Sequence, residues 1–275
     1  MKIKIKILLL IVLGIAGYQF YIHKEQSQTA DKGILISGTI EATEVHLSFQ
    51  VTGKILEILT DEGQPVRKGE VLAKLDTEEL AKIKNQSEAA LEEAKLALER
   101  REDDYHHDES LFKAGSLPEN KMQTSKTERD IAKAKLDTLR TSLELSNLRL
   151  GYAELHSPLE GVVLVRSAEV GEVTPVGATV LTVADLKNAW LTGYVNETDL
   201  GRIRLNQEVK ITTDSDPAKI HKGHLSFISQ EAEFTPKHIQ TKEERTKLVY
   251  RVKIVVDNAA LDLKPGMPAD ARFEG

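Results

Sequence analysis

Apolar residues along this chain follow three different patterns. A continuous apolar run covers residues 7–22, close to the start. Short runs rich in Val, Ile and Leu, which are typical of strands, occur at 33–75 and again from residue 161 onward. Between them, residues 77–153 repeat apolar positions at spacings of three, four and seven, which is typical of packed helices. The patterns predict a mostly β protein with a long inserted helical segment.

The helical segment is predicted to form a coiled-coil hairpin. Its only break is Ala114-Gly115-Ser116-Leu117-Pro118, so two antiparallel helices of about 35 residues, each roughly 50 Å long, are expected. We expect Thr77 to cap the first helix, and Ser116 with Glu119 to form a capping box for the second. The residues expected on the seam between the helices are Leu80, Ile83, Ala90, Leu91, Ala94, Leu98, Tyr105, Met122, Ser125, Arg129, Ala132, Leu136, Leu139, Leu143, Ser146, Leu150 and Ala153.

The strand-like runs on either side of the helices are two copies of one repeat. Glycines stand at 53, 63 and 69 in the first copy and at 161, 171 and 177 in the second, an offset of 108 at each position. Each copy is typical of a strand, a turn and a strand, and the pair predicts a small β-sandwich with two-fold pseudosymmetry. The segment 51–72 resembles the first half of the biotinyl/lipoyl carrier fold. A carrier would bear a modified lysine in an Asp-Lys-Ala or Met-Lys-Met context, and neither tripeptide occurs.

The remaining strands predict a small antiparallel β-barrel after residue 185. Turn signals at Leu205-Asn206-Gln207, Asp216-Pro217 and 264–268 separate short β-rich runs. The chain is therefore divided into four predicted parts. They are an N-terminal membrane or signal segment (1–24), a split lipoyl-like domain (43–76 and 154–185), the helical hairpin (77–153) and the barrel (33–42 and 186–275).

The N-terminal apolar run has two interpretations. Lys2, Lys4 and Lys6 precede it, and no acidic residue occurs before Glu25, so the N-terminus is expected to stay in the cytoplasm while the rest is exported. As a signal anchor, residues 7–22 make a single-pass inner-membrane protein with its bulk in the periplasm. As a cleaved signal peptide with a small-residue site at 14–16, they leave a periplasmic protein.

Composition narrows the classes of function. The net charge is −6 and no basic patch is present, which argues against nucleic-acid binding. There are no cysteines, so thiol chemistry and a cysteine-linked lipid anchor are excluded. His106-His107 are adjacent and point apart on a helix, and His221 and His224 flank a predicted strand, so we expect no metal site. No nucleotide-binding loop or nucleophile elbow occurs, and we expect neither an enzyme nor a cofactor.

The sequence resembles the HlyD-type membrane fusion protein family over about residues 33–275. The resemblance rests on the repeat around the helical hairpin and on four segments of the barrel, namely 196–201, 233–237, 240–251 and 264–268. The segment from Phe234 to Arg251 resembles the branch that serves ABC-type exporters.

The resemblance implies a periplasmic adaptor of a tripartite efflux or secretion system. Such proteins assemble into a ring, contact an inner-membrane transporter through the barrel side and meet an outer-membrane channel at the hairpin tip. The candidate tip residues are Leu111, Gly115, Ser116, Leu117 and Pro118, and the candidate transporter-side residues are Phe234, Thr235, Pro236, Arg245, Tyr250 and Arg251.

The tip departs from the docking pattern common in the family. Many members that dock to a TolC-type channel carry Arg-x3-Leu-x6-Ser, and the aligned residues here are His107, Leu111 and Pro118. Only the leucine matches, and Leu111 also suits a simple role in closing the end of the coiled coil. An envelope interaction module that transports nothing is the alternative function.

Overall fold

A computed structural model describes residues 33–234 and 248–273, which divide into two compact units. The first contains the described residues up to Thr43 and from Leu186 onward, and the second is Glu44–Asp185. The predicted N-terminal membrane or signal segment lies outside these ranges. Of the helices inside them, none is long and apolar enough to cross a membrane.

The elements are numbered in chain order. The strands are β1 (Leu35–Ser48), β2 (Gly53–Ile58), β3 (Pro65–Val66), β4 (Val71–Leu75), β5 (Glu154–His156), β6 (Gly161–Arg166), β7 (Val173–Thr174), β8 (Thr179–Asn196), β9 (Glu208–Thr213), β10 (Asp216–Ile228), β11 (Glu233–Phe234), β12 (Leu248–Val256) and β13 (Pro268–Phe273). The helices among the described residues are α1 (Glu78–Lys113), α2 (Glu119–Gly151) and the single turn α3 (Glu197–Leu200).

The first unit is a six-stranded antiparallel barrel, which confirms the predicted barrel. Its strands follow the order β12-β10-β9-β13-β1-β8, and β8 closes the barrel by pairing with β12 from Asn196↔Val249 to Trp190↔Val255. Side chains alternate between buried and exposed along these strands, as in β9, because successive residues of a strand point to opposite faces. The inward-facing set, including Ile211 and Leu225, forms the apolar core.

One predicted turn of the barrel is wrong. The turn between β9 and β10 occupies Asp214 and Ser215, whereas Asp216 and Pro217 already belong to β10. The β9–β10 register is irregular between Asp216 and His221. A proline lacks the N–H that a regular ladder requires, so it is tolerated in a strand where the pairing is interrupted.

Strand pairing in the second unit follows the offset of 108 found in the sequence. Gly53 pairs with Thr174, and Val66 pairs with Gly161. Gly161 is the second-copy equivalent of Gly53, and Thr174 is the second-copy equivalent of Val66, so the two pairs are related by the pseudosymmetry of the repeat. The hydrogen bonds between the copies obey the same rule. Gly63 N–H donates to Val163 O at 2.8 Å, and Gly171 N–H donates to Ile55 O at 2.9 Å. The two copies therefore form one pseudosymmetric unit around a shared core.

The repeated turn glycines are required for their backbone conformation. Gly63 and Gly171 have φ values of +81° and +95°, and a Cβ on either would meet nothing within 4 Å. Glycine is therefore needed because other residues rarely adopt this region of φ, not because space is short.

The helices α1 and α2 lie side by side and antiparallel, and they are called the helix pair below. Hydrogen bonding links them at Ser87 Oγ···Ser146 Oγ, 3.0 Å, and an ion pair links Arg101 to Glu128 at 2.9 Å. Every residue predicted on the seam of α2 is buried or half-buried, and every other residue of α2 is exposed. The 36 residues of α1 give it a length of about 54 Å.

One residue predicted on the seam of α1 is wrongly placed. Ile83 is 38 % exposed, and the neighbouring Lys84 is half-buried in its stead. A lysine can lie along a seam because its aliphatic stem covers apolar surface while its ammonium reaches solvent. The Lys84 ammonium reaches Glu88 at 3.4 Å.

One predicted helix cap is confirmed in position and the other is wrong. Thr77 is the N-cap residue of α1, but its side chain makes no capping bond, and the Asp76 carboxylate accepts the Glu78 N–H at 3.0 Å instead. At α2 the N-cap residue is Pro118, without a side-chain cap, so Ser116 and Glu119 form no capping box. Ser116 instead takes part in ending α1, because its N–H donates to Leu111 O at 2.9 Å.

Candidate functional site at the tip of the helix pair

The tip, residues 111–118, is a tight turn that ends α1 and starts α2. Gly115 N–H donates to Phe112 O and Ser116 N–H donates to Leu111 O, each at 2.9 Å. Gly115 has φ +73°. This combination is a Schellman motif, which satisfies the last carbonyls of a helix and depends on a residue that tolerates positive φ. Pro118, with φ −66°, then directs the chain into α2.

The predicted tip residues lie together, and they divide by exposure. Leu111 and Leu117 are half-buried, while Gly115, Ser116 and Pro118 are exposed. None of these five side chains is charged, so the end of the helix pair is a small and largely apolar surface. Such a surface suits contact with another protein better than contact with water.

Phe112 is a tip residue that the sequence analysis missed. Its side chain is 37 % exposed and follows Leu111 directly at the end of α1. The signal was present in the sequence, because residue 112 is seven residues after Tyr105 and continues the seam. At the last turn of α1 the seam runs out, so this ring stays partly open to solvent.

Charged residues surround the tip on the α1 side. Lys113 Nζ lies 3.0 Å from Glu109 Oε2, and the Tyr105 hydroxyl donates to Glu109 Oε1 at 3.3 Å. The hydrogen bond and the charge of Lys113 lower the pKa of Glu109, with a smaller contribution from Tyr105. This ion pair lies on the last turn of α1, from which Leu111 and Phe112 project.

Polar contacts link α1 and α2 a few turns before the tip. The Arg129 guanidinium lies over the Tyr105 ring, 4.3 Å from its centroid, and the Asp130 carboxylate accepts from Arg129 Nη2 at 2.6 Å. The hydrogen bond to Asp130 raises the pKa of Arg129. Like the Arg101–Glu128 ion pair, this cation–π contact links α1 to α2 close to the tip.

The positions aligned with the docking pattern of the family occupy different parts of the tip. His107 is exposed on α1, Leu111 is half-buried, and Pro118 precedes α2. In the described ranges, no group of three or more His, Asp or Glu residues could hold a metal ion, either near His106-His107 or elsewhere.

The barrel-side candidates fall only partly within the described residues. Thr235, Pro236 and Arg245 lie outside them. On β12, Tyr250 packs against the barrel core, and Arg251 Nε donates to Glu233 Oε1 at 3.1 Å. Glu233, which the prediction did not single out, thus joins β11 to β12 through a side chain as well as through the ladder.

Two family models match the chain. The model of the CzcB-like, barrel-sandwich hybrid domain matches residues 43–185, which is more than half of the chain and includes the repeat, the helix pair and the tip. The model of the YknX-like beta-barrel domain matches residues 190–271. The barrel-sandwich hybrid agrees with the pseudosymmetric pairing of the two repeat copies.

Similar proteins extend over nearly the whole chain. A UPF0194 membrane protein of Enterobacter sp. (strain 638) is 29 % identical over 323 aligned positions, which cover 97 % of this chain and 95 % of the relative. Among solved structures, the membrane fusion protein Spr0693 from Streptococcus pneumoniae R6 has a TM-score of 0.70 and 23 % identity, covering 88 % of this chain and 99 % of that one. MacA from Actinobacillus actinomycetemcomitans has a TM-score of 0.66 and 23 % identity, with coverages of 88 % and 79 %. These structures share the fold, and the predicted resemblance to membrane fusion proteins is confirmed.

Proposed function

This chain belongs to the CzcB-like barrel-sandwich hybrid family, and from that premise we propose that it is the periplasmic adaptor of a tripartite efflux or secretion system. It links an inner-membrane transporter, of the ABC type, to an outer-membrane channel of the TolC type. It does so by assembling copies of itself into a ring. The protein contributes assembly and no chemistry of its own, so the energy for export comes from the transporter.

The observation that carries this proposal is the insertion of a long helix pair between two halves of one small β-unit. Both ends of the pair return to the same core, since Leu75 N–H donates to Ala153 O at 2.9 Å. A coiled-coil hairpin of about 54 Å therefore projects from a fixed base, and its end is a compact tip at which Lys113 is the one charged residue. Such a rod brings one small surface to a partner far from its base.

At the tip, the proposed channel contacts are Leu111, Leu117 and the exposed backbone turn of Gly115, Ser116 and Pro118. Phe112 adds an aromatic ring beside Leu111. A few side chains buried at the centre of an interface, often aromatic, commonly supply most of its binding energy. Because His107 and Pro118 depart from the pattern common in the family, contact through these apolar side chains is proposed in place of contact through an arginine and a serine.

On the barrel side, the proposed transporter contacts are Phe234, Thr235, Pro236, Arg245, Tyr250 and Arg251. The resemblance of this segment to adaptors that serve ABC-type exporters supports that choice. The apolar run at residues 7–22 is proposed to anchor the chain in the inner membrane, with the bulk in the periplasm. Cleavage of the run as a signal peptide is the alternative, and the intact mass of the mature protein separates the two.

In-cell photocrosslinking from position 117 tests the proposal. The crosslinking amino acid replaces Leu117 in the full chain, and mass spectrometry identifies the partner. Capture of an outer-membrane channel is the expected result. The matched control carries the same amino acid at exposed Glu144, about 40 Å from the tip along α2, where no channel should be captured.

An envelope interaction module that transports nothing is the second candidate. The observation that favours it is the tip itself, where two of the three positions of the docking pattern differ. If position 117 captures no channel while the protein is abundant and folded, the adaptor proposal fails and this candidate replaces it.

A further inference from the structure

A cleft of about 470 Å³ lies on the outer face of the barrel. It crosses the neighbouring strands β9, β10 and β12 and the part of β8 that belongs to the barrel. The titratable side chains that line it are all exposed: Lys187, Glu208, Lys210, Lys222, His224 and Asp257. The strand neighbours Val209 and Leu225 are buried, so the lining side chains point away from the core. The volume is that of a site for a small organic molecule.

Basic side chains follow one another across three neighbouring strands, in and beside this cleft. Lys222 of β10 lies directly opposite Lys210 of β9, and Lys210 lies directly opposite Arg272 of β13. All three are exposed, and they are called the basic row. Residues directly opposite each other in a sheet are about 5 Å apart at Cβ, and like charges in such a pair are destabilising. An anion that contacts the basic row would offset this repulsion.

The acidic side chains of the cleft do not balance its lysines. Glu208 lies directly opposite His224, and the Asp257 carboxylate accepts the backbone N–H of the second residue after it at 3.2 Å. Lysines at three positions of the cleft thus stand against carboxylates at two. On the same face beside the cleft, Arg272 and Asp270 add one charge of each sign. The cleft is therefore positive on balance, although the chain carries a net charge of −6, and it favours an anionic ligand.

The arrangement of the lysines favours a phosphate group. Lys187, Lys210 and Lys222 belong to three different strands, so their ammonium groups reach the cleft as separate point charges, each with three donors. A phosphate ester offers several acceptor oxygens in a tetrahedral arrangement, whereas a planar carboxylate matches the fork of one arginine. Val255, which is 37 % exposed, lines the same cleft, and the cleft is larger than a bare phosphate ion. The ligand should therefore carry an organic group next to its phosphate.

We propose that this cleft of the barrel binds a phosphate ester, with the phosphate between Lys187, Lys210 and Lys222 and the organic group over Val255. The headgroup of a glycerophospholipid and a soluble phosphate ester share this chemistry, and they are the two sources of such a ligand. The inference goes beyond the proposed adaptor function, because it requires neither a ring nor a channel.

Trp190 provides the readout, because it is the one tryptophan of the chain. It lies directly opposite Val255 in the pairing of β8 with β12. Its Nε1 donates to Glu41 Oε2 at 3.0 Å, and Lys253 Nζ lies 4.6 Å from the centroid of its ring. A ligand over Val255 changes the surroundings of the indole, so the tryptophan fluorescence reports on this face of the barrel.

Titration of the full chain with phosphate esters tests the proposal. The protein is kept in a maltoside detergent, which contains no phosphate. Dihexanoylphosphatidylglycerol, below its micelle concentration, represents the lipid source, and glycerol 3-phosphate represents the soluble source. A saturable change in fluorescence with one or both is the expected result, and isothermal titration calorimetry measures the same binding without the indole. Glycerol lacks the phosphate and should give no response, whereas inorganic phosphate lacks the organic group and should bind at least about tenfold more weakly.

Paired substitutions locate the site. Lys210→Met with Lys222→Met removes two charges and keeps the aliphatic stems, and it should weaken binding of the ester at least about tenfold. The control, Lys68→Met with Lys264→Met, removes the same charge from exposed positions outside the cleft and should leave binding unchanged. Circular dichroism of both variants shows whether they remain folded.

The outcomes separate this inference from the proposed function. A response to the lipid, to glycerol 3-phosphate or to both supports the site and identifies the source. No response to either ester, by fluorescence and by calorimetry, overturns it, and so does unchanged binding in Lys210→Met with Lys222→Met. Inorganic phosphate that binds as tightly as the esters overturns the assignment of an ester. None of these results alters the crosslinking from position 117, so the adaptor proposal stands or fails separately.

Discussion

The helix pair and the β part of the barrel-sandwich hybrid unit differ in what holds them together, although both lie within residues 43–185. In α1 and α2 the buried residues are Ala94, Ser125 and Ser146, all small. The β part of the same unit buries large side chains such as Phe49, Ile55 and Leu72 almost completely. The helix pair thus has a thin seam with polar links, whereas the β part has a packed apolar core.

This difference indicates that the β core provides stability and that the helix pair provides surface for contacts. Removing apolar surface from water stabilises a fold in proportion to the area buried, so the β core supplies the stability that fixes the base of the helix pair. The helix pair depends on that base and on many weak links along its length. Its long outer surfaces remain available for contacts with other proteins.

The largest expected effect comes from the β core. Phe49→Ala should lower the free energy of unfolding by about 3–5 kcal/mol, because it removes a buried ring and leaves a cavity. Leu143→Ala on the seam, where the side chain is only half-buried, should cost about 1–2 kcal/mol. Hydrogen exchange of the β6 amides, followed by mass spectrometry, measures both. Equal losses from the two variants would refute the contrast between core and seam.

A smaller effect should separate two glycines at the same place in the repeat. A Cβ on Gly161 would lie 2.3 Å from the Ala184 carbonyl oxygen, whereas a Cβ on Gly53 would lie 3.0 Å from Leu75 Cδ1. Backbone cannot move aside as a flexible side chain can. Gly161→Ala should therefore cost about 3 kcal/mol and Gly53→Ala about 1 kcal/mol.

Urea unfolding of the two alanine variants measures this difference. Gly63→Ala serves as a control for conformational cost alone, since its Cβ would meet nothing within 4 Å, and about 1 kcal/mol is expected. A cost for Gly161→Ala no greater than that of Gly63→Ala would contradict the steric argument.

The sequence predicted the repetitive features of this fold well. The offset of 108 led to the paired β copies, and the heptad spacing placed even Ser125, Arg129 and Ser146 on the seam. These features depend on many residues that agree with one another, so an error at one position does not alter the conclusion. The resemblance to membrane fusion proteins rested on the same repetition.

Predictions about single residues at the ends of elements failed for local reasons. Thr77 occupies the N-cap position, but the side-chain hydrogen bond there comes from Asp76, one residue earlier, and the backbone of Ser116 ends α1. Several donors and acceptors within a few residues compete to cap a helix end, and the spacing of residues in the sequence does not show which of them forms the hydrogen bond.

The smallest expected effect concerns the ion pair beside the tip. Lys113 lowers the pKa of Glu109 from its ordinary value near 4.5. A carboxyl group with a lowered pKa in the folded state adds stability above its unfolded pKa, and that stability is lost as the pH falls through the folded value. Lys113→Met should therefore raise the pKa of Glu109 toward 4.5 and remove part of this acid sensitivity from the last turn of α1.

Carboxyl-detected NMR titration of Glu109 measures that shift. Lys121→Met, at an exposed position of α2, is the control and should leave the titration unchanged. Lys113 is exposed and Glu109 is only half-buried, so the effect on stability is expected to be slight and to shrink in high salt. An unchanged Glu109 titration in Lys113→Met would show that the last turn of α1 does not depend on this pair. The orientation of Leu111 and Phe112 would then rest on the Schellman turn alone.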